Sequence, residues 1–242
     1  MRRLPLVTAL VFLATAVVTG AQFFSPSVLS ALRRNPEALA AGQWWRILSP
    51  LLVDPDGWLA IAGVALGLLV VGTVCERLFG RARWLLLYFA GALAGELAGY
   101  AWEPYDAGSS IALCGLIGGL IVVMLGRLDF SAFSRAQGPL GLLAALYALG
   151  LVGAWLGSAT GGAVIAVLLG ALLASALIWL TRLGAPGRFT AGYFGSAGLI
   201  AALALVALRD IHGPSLLAGA AVAALLCWLD PTLGRAGDAG RD

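Results

Sequence analysis

The chain has 242 residues, 61% hydrophobic and 11% charged, with 33 glycines and a net charge of +3. Charge is less than half the share of an ordinary soluble domain, which excludes a soluble globular fold. The positive charge is all arginine, placed singly or in pairs between apolar runs; this reads as membrane topology and not as nucleic-acid binding.

Taken in order, the chain opens with Met1-Arg2-Arg3 and an apolar run from Leu4 to about Gly20, read as a retained helix in preference to a signal peptide ending at Thr19-Gly20-Ala21. A long non-spanning stretch follows, from Gln22 to Gly57. It carries Arg33-Arg34, Gly42-Gln43-Trp44-Trp45-Arg46 and the turn Asp54-Pro55-Asp56-Gly57. Trp45 beside Arg46 fits an interfacial belt, where amphipathic rings sit at headgroup level. Spanning segments are then expected at about 58–75, 84–102, 110–126, 140–157, 162–181, 190–208 and 213–229, each close to the length a bilayer core requires. With the first, they make an all-α polytopic bundle of about eight helices in a single domain, 1–229. A Gly-rich, charged tail, 230–242, is expected to be disordered and cytoplasmic.

Arginine placement orients the bundle. With the N-terminus inside, eleven arginines fall in inside segments and four (Arg33, Arg34, Arg46, Arg209) outside, so both termini are expected to be cytoplasmic. Ser110 and the sole histidine, His212, then open two inward-running helices at the same outer depth. Below Ser110, at steps of four, come Cys114 and Gly118; below His212 come Ser215 and Gly219. Both are small-residue faces of the kind that lets helices approach closely. A second glycine-framed serine, Ser196, lies roughly 24 Å from His212 along the membrane normal at 1.5 Å per residue, and is read as a packing residue. Serine becomes a nucleophile when a histidine within hydrogen-bond reach takes its proton, and N–H donors must hold the resulting oxyanion. Glu96, the one carboxylate inside an apolar run, is a site-shaping candidate that could orient His212, or it pairs with Arg209 or Arg46. The cysteines Cys75, Cys114 and Cys227 lie without metal spacing in or beside apolar segments. No metal or organic cofactor is implied.

Four elements, in order, resemble the rhomboid intramembrane serine proteases. Gly42-Gln43-Trp44-Trp45-Arg46 is similar to the family's Trp-Arg element in the first outer loop. Glu76-Arg77-Leu78-Phe79-Gly80 is similar to its Glu-x-x-x-Gly turn. Gly108-Ser109-Ser110-Ile111 is similar to its Gly-x-Ser-Gly motif, and His212 with Ser215 and Gly219 to its last-helix histidine motif. The resemblance implies a rhomboid-like fold, Ser110 as nucleophile and His212 as base. Gly108, Ser109, Ile111 and Cys114 would shape the site. The substrates implied are single-pass membrane proteins, cut near the outer face of what composition suggests is a bacterial inner membrane. The chain departs from the pattern where the family carries a His and an Asn as oxyanion donors: those places fall at about Ala60 and Val64. Ile111 stands for a Gly, Cys114 for an aromatic that packs on the histidine, and three helices instead of one separate Ser110 from His212. The alternative implied by these departures is a pseudoprotease that binds transmembrane helices without cutting them. A solute transporter is disfavoured by the scarcity of intramembrane charge and the absence of paired broken helices.

Overall fold

A computed structural model describes residues 4–126 and 129–233. Among them are eleven α-helices. The first is α1 (Leu6–Phe24); α2 (Pro26–Leu32), α3 (Pro36–Ala40) and two 3-10 turns (Trp44–Ile47 and Ser49–Leu52) fill the stretch after it. There follow α4 (Trp58–Phe79), α5 (Arg81–Trp102), α6 (Ser110–Gly126), α7 (Phe130–Gln137), α8 (Pro139–Gly161), α9 (Ala163–Arg182), α10 (Gly187–Ala207) and α11 (His212–Leu229). Seven are long and apolar enough to cross a membrane, and α6, at 17 residues, is the shorter eighth. The all-helical bundle expected from the apolar periodicity is therefore the observed one.

Helix ends follow local chemistry. The Asn35 side chain caps α3 by accepting from the Ala38 N–H, and the Asp129 carboxylate caps α7. Gly80, at φ +77°, supplies the left-handed turn between α4 and α5 that a β-carbon would disfavour. Just before it, the Glu76 carboxylate accepts from the Val7 and Thr8 N–H groups and the Thr8 hydroxyl, all at the start of α1. An anion placed on those unsatisfied amides is stabilised by the helix dipole. It ties the first helix into the bundle at one end. The Thr19 hydroxyl, donating to the Leu52 carbonyl, ties it at the other.

The most enclosed element is α6. It packs against α4, α5, α10 and α11, and most of its residues from Ile111 to Met124 are buried. Glycines set these distances. A β-carbon on Gly118 would collide with the Leu216 carbonyl of α11, and one on Gly219 with the Gly115 backbone of α6. Gly115 also lies against Gly91 of α5. The expected docking of the Ser110 and His212 helices thus occurs through Gly118 and Gly219, with Gly115 as a further contact. Ser215 is fully buried; its hydroxyl donates to the Ile211 carbonyl, and it faces Gly95 of α5.

The helices α8 and α9 form a hairpin. Gly153, Gly157 and Gly170 bring α8 and α9 into backbone contact. α8 reaches α4 through Tyr147, whose hydroxyl donates to the Gly63 carbonyl, whereas α9 is mostly exposed on the outside.

Several expectations change. Ser196 is not a packing residue: it is exposed, and its neighbours Gly195 and Gly198 make the contact with Leu125 and Ile121 of α6. Arg46 is buried and does not reach for headgroups; its guanidinium donates to the Ser30 and Arg33 carbonyls and to Gln43. Trp44 and Trp45 beside it are exposed. Of the predicted tail, Asp230–Leu233 forms a turn in which Asp230 pairs with Arg83 at 2.8 Å. Residues 234–242 lie outside the described residues.

Gly219→Val should therefore unseat α11 from α6. Overpacking at a backbone contact costs about 1–3 kcal/mol or more, so a clear drop in the thermal midpoint is expected in detergent. Gly192→Ala, where a β-carbon meets nothing within 4 Å, should leave it unchanged or higher.

Candidate active site

Ser110 begins α6 and His212 begins α11, so both side chains stand at the same end of the bundle on helices held together by glycine. Ser110 Oγ lies 3.0 Å from His212 Nε2. The other ring nitrogen, Nδ1, lies 2.7 Å from Asp210 Oδ1, which also accepts from the His212 backbone N–H at 2.9 Å. With Nδ1 donating to a carboxylate, Nε2 is left as the acceptor for the Ser110 hydroxyl. The Trp155 ring, from α8, stacks on the imidazole at 4.4 Å between centroids and 12° between planes.

Tight turns fix these groups. Between α10 and α11 the chain makes a Schellman-type stop, with the Asp210 N–H donating to the Leu205 carbonyl and the Arg209 N–H to Val206. Arg209 takes the left-handed conformation, at φ +58°. On the serine side, the Gly108 N–H donates to the Pro50 carbonyl, which stitches the turn before Ser110 to the segment between α1 and α4. Gly108 itself has φ +150°, and a β-carbon there would sit 3.4 Å from Ser110 Oγ and 3.9 Å from Asp54 Oδ2. The first-turn amides of α6 begin at Ser110 and have no carbonyl ahead of them in the helix, so they and the helix dipole favour negative charge beside Ser110.

Burial alone would raise the Asp210 pKa. The hydrogen bonds and charge of His212 outweigh it and hold the carboxyl below its ordinary value.

The remaining predicted residues divide. Ser109 is buried at the head of a cavity of about 200 Å³ that runs between α1 and α4 and is also lined by Asp54, Thr19, Ile61 and Leu68. Ile111 lies in regular helix, without positive φ, and packs on Gly95. A glycine's freedom is not needed there because Gly95 makes the room. Cys114 is buried and free, and the aromatic ring on the histidine comes instead from Trp155 of the α8–α9 hairpin.

Glu96 does not touch His212, and its partner is neither Arg209 nor Arg46. It pairs with Arg34 at 3.3 Å, both side chains almost wholly enclosed. Arg34 lies along Gly99, donates to the Glu103 carbonyl, and takes the Asp106 carbonyl on its backbone N–H. The pair clamps the segment before Gly108. Asp210, Trp155 and Arg34 were not assigned to the site from the sequence. Asp210 carried a signal, a carboxylate two residues before the only histidine; Trp155 and Arg34 did not.

A family model described as "Rhomboid domain" matches residues 41–184. That range contains Ser110 and Trp155 and ends before Asp210 and His212. The chain is 34% identical over 179 residues to a protein named Rhomboid protease GluP from Bacillus subtilis (strain 168), covering 73% of this chain and 34% of that one. It is 29% identical over 109 residues to one named Putative rhomboid protease YdcA from the same organism, covering 44% and 54%. The chain therefore spans about a third and about half of the lengths of these relatives.

If Asp210 orients the imidazole, Asp210→Asn should lower the rate of a Ser110-dependent reaction by about 10²–10⁴ while the protein stays folded. Glu96→Ala should instead leave the buried Arg34 with only its 3.8 Å contact to the half-exposed Asp106 carboxylate, at a cost of up to about 3–5 kcal/mol, seen as a lower thermal midpoint. The Asp210 bond also contributes to stability. Its folded pKa lies below the unfolded one, so the contribution is complete above about pH 4–5 and disappears as pH falls through the folded value. A pH series of thermal midpoints, wild type against Asp210→Asn, reads that difference.

Proposed function

The chain belongs to the rhomboid family, and from that premise we propose that it is an intramembrane serine endopeptidase cutting single-pass membrane proteins near the outer face of the membrane. The observation that carries the reading is the 3.0 Å contact of Ser110 Oγ with His212 Nε2, in line with the 2.7 Å contact of Nδ1 with Asp210. In this reading His212 Nε2 takes the Ser110 proton as Oγ bonds to the scissile carbonyl carbon, whose π electrons move onto oxygen. Asp210 stabilises the imidazolium without taking its proton. Collapse of the tetrahedral intermediate breaks the C–N bond, and His212 gives the proton to the leaving amine. Water, entering from the polar segment 103–108 and Arg209-Asp210, then attacks the acyl carbon as His212 takes its proton; collapse of this second intermediate breaks the C–Oγ bond, and His212 returns the proton to Ser110.

The orientation that fits arginine placement puts Arg77, Arg81, Arg83, Arg135, Arg182 and Arg188 on the cytoplasmic side and the site on the other, with both termini cytoplasmic. The membrane would be the inner membrane of a bacterium. Substrates would be transmembrane segments with small or helix-breaking residues near that face, because an intact helix hides its backbone from Ser110.

The pseudoprotease alternative rests on the empty donor positions: Ala60 is exposed and Val64 is buried and apolar. The aligned Asp210–His212–Ser110 contacts favour catalysis, since a helix binder has no use for them.

Purified wild type in proteoliposomes should cleave a co-reconstituted single-pass protein with a glycine-rich outer juxtamembrane segment. Ser110→Ala and His212→Ala should lower the rate by at least about 10³. Binding of that protein by wild type, with no product in any variant, would favour the pseudoprotease.

A further inference from the structure

We propose that Asp54, as the neutral acid, donates the side-chain hydrogen bond that holds the oxyanion, in the space beside Gly108 that it shares with Ser110. This rests on the protease reading above. The two α4 positions the family fills with donors are Ala60 and Val64, and neither side chain can donate. The nearest side-chain atoms to the open face of Gly108 are Ser110 Oγ and Asp54 Oδ2, both within 4 Å of the point a β-carbon would take. A carbonyl carbon attacked by Ser110 in that space places its oxygen within reach of Asp54.

The carboxyl is held for this. Gln22 from α1 fixes the Asp54 backbone from both sides: its Nε2 donates to the Asp54 carbonyl at 2.6 Å and its Oε1 accepts from the Asp54 N–H at 3.1 Å. Asp54 Oδ1 accepts from the Asp56 N–H at 2.9 Å. Among the described residues Oδ2 has no hydrogen-bond partner, and the residue lines the cavity between α1 and α4 with Ser109. Asp54 is only 7% exposed.

A carboxylate in this position would repel an oxyanion, so the protonation state decides the role. The charged groups that face Asp54 are Asp56 on its own turn, Asp106 on the segment before Ser110, and His212 on α11; α1 presents only neutral Thr19 and Gln22. Burial foremost, opposed by the Asp56 N–H and reinforced by the charges of Asp56 and Asp106, raises the Asp54 pKa to about 6 despite His212. Close to neutrality about a tenth of the molecules carry the proton, and a developing oxyanion draws the equilibrium further that way. The step moves no proton through Asp54: its O–H donates a hydrogen bond while the Ser110 proton goes to His212.

The test is cleavage of the single-pass reporter by wild type, Asp54→Asn and Asp54→Ala between pH 5 and 9. Asn keeps the acceptor for the Asp56 N–H and offers an N–H that does not titrate. Asp54→Ala should lose about 10²–10³ in kcat with KM little changed. Asp54→Asn should stay within about tenfold of wild type and hold its activity on the alkaline side, where wild type declines as Asp54 ionises. Should Asp54→Ala not fold, the pH profile of Asp54→Asn against wild type still decides. Identical alkaline limbs in Asp54→Asn and wild type, or an Asp54→Ala rate near wild type, would overturn the donor role while leaving the protease reading intact. A wild type that binds but never cleaves would overturn both.

Discussion

The backbones of α6 and α11 can touch because Gly115, Gly118 and Gly219 carry no β-carbon, and the candidate site depends on that contact. In a bilayer there is little hydrophobic force to press two apolar helices together, so close backbone approach and its dispersion energy must do it. Both helices start at the same level, with Ser110 and His212 in their first turns. Once the glycines fix the separation, the 3.0 Å approach of the two side chains follows from the register. The two side chains of the candidate site thus sit on rigid elements, and the segments between helices act by fixing the turns that precede them.

Those turns are held by polar contacts concentrated at one end of the bundle. Arg34 and Glu96 form a buried ion pair whose value is positional: each charge is expensive to enclose, and the pair is worth keeping because Arg34 also grips the Glu103 and Asp106 carbonyls next to the turn before Ser110. Gln22 does the same for Asp54 from the end of α1. The α8–α9 hairpin delivers Trp155 onto His212, where its ring forms an aromatic wall.

Much of this was legible in the sequence because membrane helices are written in long apolar runs and glycine spacing. All eight apolar segments are helices within a few residues of their expected bounds. The equal depth of Ser110 and His212 followed from counting helices. What could not be read was set by side chains reaching across the chain. Glu96 had four arginines on its side of the membrane, Arg33, Arg34, Arg46 and Arg209, and only packing selects Arg34. Arg46 beside two tryptophans looks interfacial, yet three acceptors from Ser30, Arg33 and Gln43 draw it inward. Trp155 reaches His212 only through the packing of the α8–α9 hairpin, forty-five residues away in the chain from Ser110 and fifty-seven from His212. Ser196 shows the converse, since glycines on either side of a serine pack α10 while the serine itself turns outward.

The most direct measurement is the intact mass and peptide map of the purified protein after reaction with a fluorophosphonate probe, beside His212→Ala treated identically. An activated Ser110 predicts one adduct, on the peptide containing Ser110, formed at least about 10² times faster in wild type than in His212→Ala. Folded protein that forms no adduct, or one that maps to Ser109 or another residue, would contradict a Ser110–His212 catalytic centre.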